Sequence, residues 1–340
     1  MKKYLLLFTV FSVITILAAC GNSTKGNAVE EGEAAEDYPV TISNYSLPEG
    51  GSAWEEKDQV FEQAPERVMA NTRPAAELLL HLGLKDKIAG VGASFGAPDP
   101  TVEEDYNDLN ILSDSYVGKE VALGTDPDLV FGRGGLFSND DWGVGTVDSL
   151  NEMDVNTYVL ESSIDGATYE SIYKDIENLG RIFNVQEEAE AFSSQLKEQE
   201  QSIIDNLSSI EENKTFVYLH MTDPNEVSVY AAGGENFFND VFSKIKLTNA
   251  FEGETGEVSI ETLIETDPDV LIIPTWIDND PENAEKIKEG LYNNQKLSSM
   301  KAIQNEQVYA VDYNYMFGYS YNSLDGMEIL AEEMYPELFK

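Results

Sequence analysis

The chain contains one cysteine and two histidines among its 340 residues. A single cysteine excludes an intrachain disulfide and a cysteine-rich zinc site. Two imidazoles are too few for a metal site built from histidines. The sequence also lacks a Gly-x-Ser-x-Gly motif, a glycine-rich phosphate loop before a lysine, and a His-x-x-x-His pair. These absences argue against an enzyme, and we expect neither catalytic residues nor a protein-bound metal.

Basic residues are scarce: 21 Lys and Arg stand against 63 Asp and Glu, which gives a formal net charge of −42. A surface this acidic repels phosphate backbones, and no basic tract offsets the repulsion, so a nucleic-acid partner is excluded. Hydrophobic residues still make up 42% of the chain, enough for a folded core. The length suits two domains of ordinary size.

The first 37 residues resemble an export and anchoring signal. Met1-Lys-Lys supplies a positive start, and the uncharged residues 4–19 are too few for a membrane span. Cys20 follows small residues, as in a bacterial lipobox, where cleavage leaves a cysteine that carries lipid (palmitate among its acyl chains). We predict a signal peptide over 1–19, lipidation at Cys20 and an acidic tether over 20–37. The mature chain is then expected on the outer face of the membrane of a Gram-positive cell.

Strands and helices alternate through the rest of the chain. Residues 38–45 and 56–61 predict an opening hairpin. Short apolar runs then predict two sets of strands, at 67–70, 88–91, 129–131 and 157–160, and at 215–219, 227–230, 270–273 and 308–311. Helical stretches, including 75–82, 237–243 and 324–334, accompany them. The pattern predicts an α/β protein with two lobes, each built on a mainly parallel sheet covered on both faces.

One long helix is predicted between the two sets of strands. Asn184 followed by Glu187 is typical of a capping box. Apolar residues then recur at helical spacing, at Val185, Ala189, Phe192, Leu196, Ile203, Leu207 and Ile210. A helix over 184–212, roughly 40 Å long along its apolar stripe, would join an N-terminal lobe (38–183) to a C-terminal lobe (213–340). The alternative is a long helix packed inside one large domain.

An internal repeat supports the two-lobe prediction. The segment that begins at Glu120 aligns with the one that begins at Glu261, 141 residues later, and both carry Glu, Thr, Asp, Pro and Asp in the same places. Each copy predicts a short helix, a break at proline and a buried strand. Pro127 and Pro268 are expected to hold the residue before them in an extended conformation.

From about Pro65 onward the chain resembles the cluster III solute-binding lipoproteins of ABC importers, which carry ferric siderophores, haem or cobalamin. The resemblance rests on both Asp-Pro-Asp segments and on Pro65-Glu-Arg-Val-Met-Ala, Ala76-Glu-Leu-Leu-Leu-His-Leu-Gly-Leu, Ile88-Ala-Gly-Val-Gly, Asn178-Leu-Gly-Arg-Ile-Phe and Ala232-Gly-Gly-Glu-Asn236. It implies two Rossmann-like lobes joined by one rigid helix (the class III periplasmic-binding-protein fold), with the ligand between them.

The same resemblance implies a permease and ATPase complex as partner. Family members present one carboxylate from each lobe to arginines of the permease, and Glu120 and Glu261 occupy the matching positions. The alternative is that each glutamate stabilises the first turn of its own helix.

Candidate ligand contacts follow the predicted strands, because ligands bind beyond the carboxyl ends of strands in such sheets. An arginine there suits a carboxylate, hydroxamate or catecholate around ferric iron, although a local ion pair is the alternative. Aromatic residues could form a cavity wall or simply pack. The candidates are Asn71, Arg73, Ser94, Phe95, Arg133, Phe137 and Glu161 in the first lobe and His220, Tyr230, Trp276, Tyr313, Tyr315 and Phe317 in the second.

We therefore predict a monomeric, lipid-anchored binding protein that captures a ferric siderophore-type chelate and delivers it to a permease. It needs no cofactor, since any iron arrives with the ligand. Haem, with His220 as a possible iron ligand, and cobalamin are alternatives within the family. A secreted carboxylate-dependent hydrolase and a surface adhesin are alternatives from other classes.

Overall fold

The chain folds into a hairpin and two sheets, seen in a computed structural model that describes residues 38–48, 50–221, 223–275 and 281–340. The predicted signal peptide, Cys20, the tether and Trp276 lie outside these residues. The strands are β1 (Val40–Ser46), β2 (Glu55–Phe61), β3 (Val68–Ala70), β4 (Ile88–Val91), β5 (Leu129–Gly132), β6 (Asn156–Val159), β7 (Lys214–Leu219), β8 (Val229–Tyr230), β9 (Leu247–Asn249), β10 (Glu257–Val258), β11 (Val270–Thr275) and β12 (Val308–Asp312).

Helices connect and cover these strands. They are α1 (Arg73–His81), α2 (Glu103–Asn107), α3 (Lys119–Leu123), α4 (Val147–Asn151), α5 (Glu170–Phe183), α6 (Gln186–Asn206), α7 (Asn236–Lys244), α8 (Ile260–Thr266), α9 (Pro281–Tyr292), α10 (Lys301–Gln304), α11 (Tyr313–Phe317) and α12 (Ser323–Met334). Within the described ranges, no helix has both the length and the apolar character needed to cross a membrane.

The predicted opening hairpin is confirmed. Strands β1 and β2 pair antiparallel, and the apolar residues of β1 alternate with exposed ones, so one face is buried. Asn44 fixes the hairpin to strand β6: its side chain donates to the carbonyl of Val159 (2.9 Å) and accepts from the amide of Val159 (2.8 Å). The hairpin therefore belongs to the first lobe.

The first lobe is built on a parallel sheet with the strand order β4-β3-β5-β6. Alternate residues of β3, β5 and β6 enter two different hydrophobic clusters. Met69 and Val130 lie in one cluster, and Ala70 and Phe131 lie in the other. Both faces of the sheet are therefore covered, as predicted. Because the strands are buried on both faces, their sequences are continuous apolar runs.

The second lobe repeats this arrangement and adds an antiparallel edge. Its strand order is β10-β8-β7-β11-β12, with β9 also paired to β7. Strand β11 runs parallel between β7 and β12, just as β5 runs parallel between β3 and β6. The strand that follows each copy of the repeat thus has the same place in its sheet, which confirms two similar α/β lobes.

The two Asp-Pro-Asp segments make equivalent contacts. Asp128 accepts hydrogen bonds from the amides of Glu66 and Arg67, just before β3, and Asp269 accepts from the amide and hydroxyl of Thr215 in β7. Each second aspartate therefore ties its strand to the neighbouring one.

The extended conformation predicted before each proline is wrong. Asp126 and Asp267 are left-handed, with φ of 53° and 47°. The proline ring disfavours right-handed helical geometry in the residue before it, and aspartate tolerates the left-handed alternative. Asp267 is the left-handed C-cap of α8, whereas α3 ends earlier, with Gly124 as its C-cap.

The long helix also differs from its prediction. Helix α6 covers Gln186–Asn206 rather than 184–212, a length of about 32 Å at 1.5 Å per residue. The capping box is wrong as well: Asn184, with φ of 57°, is the left-handed C-cap of α5, and no side chain caps α6. Helix α5 ends directly before α6 begins, so the turn between these two helices needs a residue that tolerates positive φ.

Inner sheet faces of both lobes share one continuous hydrophobic core. It contains Phe131 and Tyr158 from the first sheet, Phe216 and Ile272 from the second, and buried residues of α1, α5, α6, α7 and α12 between them. Phe192 of α6 shows the continuity, because its ring stacks on His81 of α1 (4.2 Å) and meets Tyr321 of the second lobe (5.3 Å). A core common to both lobes favours small relative movements.

Candidate ligand-binding site

Residues 312–321, which we call the bridging segment, run from the end of β12 against the first lobe. Asp312 accepts a hydrogen bond from the amide of Ala97 (3.1 Å), and the side-chain amide of Asn314 donates to the carbonyl of Phe95 (2.6 Å). At Gly96, with φ of 94°, an added Cβ would lie 2.0 Å from the Asn314 side chain. Only glycine fits this approach of one lobe to the other.

The end of the bridging segment makes further contacts with the first lobe. The hydroxyl of Ser162 donates to the carbonyl of Tyr319 (2.7 Å), and the hydroxyl of Tyr321 donates to the buried carboxylate of Asp99 (2.7 Å). The two lobes therefore meet along a hydrogen-bonded seam, and side chains beside this seam are candidates for ligand contact.

Arg133 stands at the seam, directly after strand β5. Its backbone is held by Asn71, whose side chain accepts from the Arg133 amide (2.9 Å) and donates to the Arg133 carbonyl (3.0 Å). Asn71 is buried, and its Oδ1 would lie 2.0 Å from a Cβ at Gly132. In this structure Asn71 braces the chain that carries Arg133; direct ligand contact by Asn71 remains a prediction.

The guanidinium of Arg133 lies among phenol groups from both lobes. It donates to the hydroxyl of Tyr116 (3.2 Å) and, more weakly, to that of Tyr313 (3.5 Å), and its Cζ lies 5.0 Å from the ring centroid of Tyr319. No carboxylate of the described residues lies within ion-pair distance of it. In so acidic a chain, this half-buried arginine keeps its positive charge and part of its hydrogen-bonding capacity for another partner.

Aromatic rings surround this arginine. Phe95 contacts Tyr116 at 5.4 Å and Tyr313 at 6.1 Å between ring centroids, and Tyr313 contacts Phe317 at 5.2 Å. Burial raises the pKa of Tyr116 to about 12, although Arg133 opposes this effect, so its phenol stays protonated at neutral pH. Arg133 and these rings together offer hydrogen-bond donors on an aromatic surface that both lobes contribute.

Arg73 has different surroundings. Its Nε donates to the carbonyl of Ser94 (2.9 Å), one terminal nitrogen lies 3.4 Å from the carboxylate of Glu77, and its Cζ is 4.1 Å from the ring centroid of Tyr106. Burial raises the pKa of Glu77 to about 7 despite this arginine. The structure thus shows the local ion pair considered as the alternative for Arg73, whose ligand contact stays a prediction.

Three other candidates of the first lobe are engaged within it. Phe137 is 2% exposed in a hydrophobic cluster, and its contact with a ligand stays a prediction. Glu161 forms an ion pair with Lys174 (2.7 Å), and the hydroxyl of Ser94 donates to Asp114 (3.1 Å). Of these candidates, only Ser94 adjoins Phe95 in the chain.

Candidates of the second lobe fall in several places. His220 is exposed after β7, with its ring 6.4 Å from that of Tyr230. Phe317 is buried and stacks on Phe238 at 5.3 Å. Tyr315 lines a cavity of about 310 Å³ among α9, β12 and α12. The structure thus brings Tyr313 to Arg133 and places Tyr315 beside a separate cavity.

Sequence reasoning missed two residues beside Arg133, Tyr116 and Tyr319, and a third, Glu235, that contacts Tyr319. Tyr116 lies in a loop with no periodic pattern, and Tyr319 was indistinguishable from its neighbours in a run of tyrosines. Glu235 belongs to the Gly-Gly-Glu-Asn motif, one of the motifs on which the family resemblance rests. That motif was the signal in the sequence that could have identified Glu235. Its two carboxylate oxygens accept from the hydroxyls of Tyr230 (2.8 Å) and Tyr319 (2.7 Å).

Glu120 and Glu261 are both exposed, in the first turns of α3 and α8. These helices precede the equivalent strands β5 and β11, so the two carboxylates occupy matching positions in the two lobes. Both positions also suit a helix N-terminus. As for metal binding, within the described ranges no three His, Cys, Asp or Glu side chains are grouped to hold an ion.

A family model described as periplasmic binding protein matches residues 69–315. An uncharacterized ABC transporter substrate-binding lipoprotein of Bacillus subtilis, YvrC, is 24% identical over 331 residues, which cover 96% of this chain and 95% of that protein. Among solved structures, a periplasmic binding protein from Veillonella parvula has a TM-score of 0.76 and 22% identity, covering 88% of this chain and 99% of that one.

An ABC-type Fe3+-hydroxamate transport system from Saccharomonospora viridis has a TM-score of 0.69 and 21% identity, again covering 88% of this chain and 99% of the other. At these identities the structures establish a shared fold, with two lobes and parallel sheets, and the family model establishes the family. The chain belongs to the periplasmic binding protein family and is a substrate-binding protein of an ABC importer, not an enzyme.

Proposed function

We propose that this protein captures a ferric siderophore-type chelate at the seam between its lobes and delivers it to an ABC permease. The observation that carries the proposal is Arg133, whose guanidinium contacts two phenol hydroxyls and, among the described residues, no carboxylate. A cation of this kind suits a ligand that presents oxygen atoms.

Chelates of ferric iron combine the features that this site can recognise. Hydroxamate, catecholate and carboxylate groups surround the iron with oxygen atoms, to which an arginine and phenols donate hydrogen bonds. The body of such a chelate packs against rings such as Phe95 and Tyr313. The similar fold of a Saccharomonospora viridis protein described as an Fe3+-hydroxamate transport system supports this choice of ligand.

The proposal includes a lipid anchor at Cys20 on the outer face of the membrane. The lipobox-like sequence supports it, as does the description of the Bacillus subtilis relative as a lipoprotein. Glu120 and Glu261, exposed in matching places, are proposed to contact arginines of the permease once the two lobes dock.

Tryptophan fluorescence tests the ligand class. The protein is titrated with ferric hydroxamate, catecholate and citrate complexes, with each iron-free chelator as a control, and with haem and cobalamin. We expect saturable quenching by at least one ferric chelate and weaker binding of its iron-free form. Binding of haem or cobalamin alone would contradict the siderophore assignment, and binding of none of them would overturn the proposal.

A pair of arginine variants tests the site. Arg133→Gln is expected to weaken binding of the ferric chelate at least tenfold, about 1.4 kcal/mol, because it removes the only positive charge described at the aromatic cluster. Arg67→Gln is the matched control, since Arg67 is not a candidate ligand contact and lies exposed beside Asp126, so the change is expected to leave affinity unchanged. Isothermal titration calorimetry measures both, after circular dichroism confirms that each variant is folded. Unchanged affinity in Arg133→Gln would remove this residue from the site.

A further inference from the structure

We infer that Glu235 is a specificity-determining residue that disfavours ferric chelates of net negative charge. The inference rests on the proposed function and deepens it, because it selects among classes of chelate at the same seam.

Glu235 lies half-buried immediately before helix α7, and each oxygen of its carboxylate accepts one hydrogen bond. Tyr230 donates to one oxygen (2.8 Å) and Tyr319 to the other (2.7 Å). Hydrogen bonds from two phenol groups favour the anionic form of the carboxylate, because bonds to a charged acceptor are stronger. Glu235 therefore positions two tyrosines while it contributes a fixed negative charge.

Tyr319 places this charge at the ligand seam. Its hydroxyl bonds to Glu235, and Arg133 lies 5.0 Å from the centroid of the same ring. The backbone of Tyr319 is in the left-handed region, with φ of 49°, and its carbonyl accepts a hydrogen bond from Ser162 of the first lobe. The side chain of Tyr319 is therefore held at its backbone and at its hydroxyl. Arg133 faces its ring, and Glu235 binds its hydroxyl.

Two neighbouring acids have partners of their own. Glu161 pairs with Lys174, and Asp312 accepts backbone hydrogen bonds from Ala97 and Asn314. Arg133 and Glu235 are the charged groups that act most strongly on the phenol of Tyr319. A site balanced in this way suits a ligand without excess charge.

Ferric chelates differ in net charge. Three hydroxamates, each a monoanion, balance the charge of ferric iron, whereas three catecholates, each a dianion, leave a triply negative complex. A carboxylate within about one Debye length, roughly 8–10 Å, repels the second complex and not the first. The structure thus favours a neutral, hydroxamate-type chelate.

The test compares two probes, ferrichrome (a neutral ferric trihydroxamate) and ferric enterobactin (a triply anionic triscatecholate complex). We expect the wild-type protein to prefer ferrichrome. Glu235→Gln, which removes the charge, is expected to shift the ratio of the two affinities roughly tenfold toward ferric enterobactin. Glu252→Gln makes the same change of net charge at an exposed residue and should leave the ratio unchanged.

Two further variants separate charge from positioning. Glu235→Ala also removes the charge and provides the same test if Glu235→Gln does not fold. Tyr319→Phe keeps the carboxylate and removes one hydrogen bond, so it should weaken both probes alike and preserve their ratio.

A ratio that stays at the wild-type value in the folded Glu235 variants would overturn the inference while the proposed function stands. An equal shift in Glu252→Gln would also overturn it, because the effect would then belong to total charge. If the wild-type protein binds no ferric chelate at all, the proposed function itself fails and the inference fails with it.

Discussion

Arg73 and Arg133 show what sequence reasoning resolves for a single residue. Both follow strands of the first lobe, so position alone gave them the same predicted role. The distinguishing signal is Glu77, four residues after Arg73 on helix α1, where an ion pair forms readily. Arg133 instead precedes two glycines, and its neighbours Tyr116, Tyr313 and Tyr319 are brought to it by the fold, so no local pattern predicted them.

Glu77 gives a prediction about pH. Burial raises its pKa from 4.5 to about 7, so the folded protein holds this proton more tightly than the unfolded chain does. Its contribution to the free energy of unfolding therefore falls as pH rises through this window. Relative to wild type, Glu77→Gln is expected to gain about 1–3 kcal/mol between roughly pH 5 and pH 8.

Urea denaturation at each pH measures this difference. Asp175, whose pKa burial also raises to about 7, is present in both proteins and so cancels in the comparison. Parallel pH profiles for the variant and the wild type would show that Glu77 does not titrate in this range.

Among the elements, strands were predicted more accurately than helix ends. The strands of both sheets are short apolar runs because they are buried on both faces, and this pattern is readable from sequence. The boundary between α5 and α6 was misplaced because Asn184 suits an N-cap and a left-handed C-cap equally well. Only the presence of α5 immediately before it decides between the two conformations.

Helix α5 packs closely on α6 through Gly180. An added Cβ at this position would lie 2.7 Å from the Cβ of Ala189 in α6, and neither atom can rotate away. Gly180→Ala is therefore expected to destabilise the protein by about 1–3 kcal/mol, in spite of the higher helix propensity of alanine.

The double variant Gly180→Ala/Ala189→Gly removes the overlap. We expect it to be more stable than the two single variants predict by addition, by about 1 kcal/mol or more. Thermal and chemical denaturation of all four proteins complete the cycle. Additive effects would show that the two helices separate at little cost.

At the scale of the whole molecule, the repeat predicted two similar lobes, and the family resemblance predicted their fold. Their common core and the bridging segment were not predicted. Contacts such as Asn314 with Phe95 join residues 219 positions apart, and no periodicity reports such a pairing. The composition of the seam was therefore only partly predictable, through the rule that ligands lie beyond strand ends.

The matching glutamates give a prediction about delivery. Glu120→Ala/Glu261→Ala is expected to abolish uptake of the ferric chelate into cells that carry the cognate permease and to leave affinity in solution unchanged. The reason is that both carboxylates are exposed, in the first turns of α3 and α8, and neither is a candidate ligand contact. Uptake of the iron-55 chelate and calorimetry measure the two effects.

Glu190→Ala/Glu252→Ala, at two exposed glutamates elsewhere, serves as the control for the loss of two negative charges. Lost affinity in the Glu120→Ala/Glu261→Ala protein, or equal loss of uptake in the control, would refute the docking role.

The bridging segment also sets the order in which the contacts between the lobes form. Translation delivers the chain from its N-terminus, and early parts fold first. All strands of the first sheet, and Arg133 with them, are complete long before residues 312–321 emerge. A nascent chain that ends before Asp312 therefore contains Arg133 but not Tyr313 or Tyr319, so the Arg133 cluster is completed only in the final stretch of synthesis.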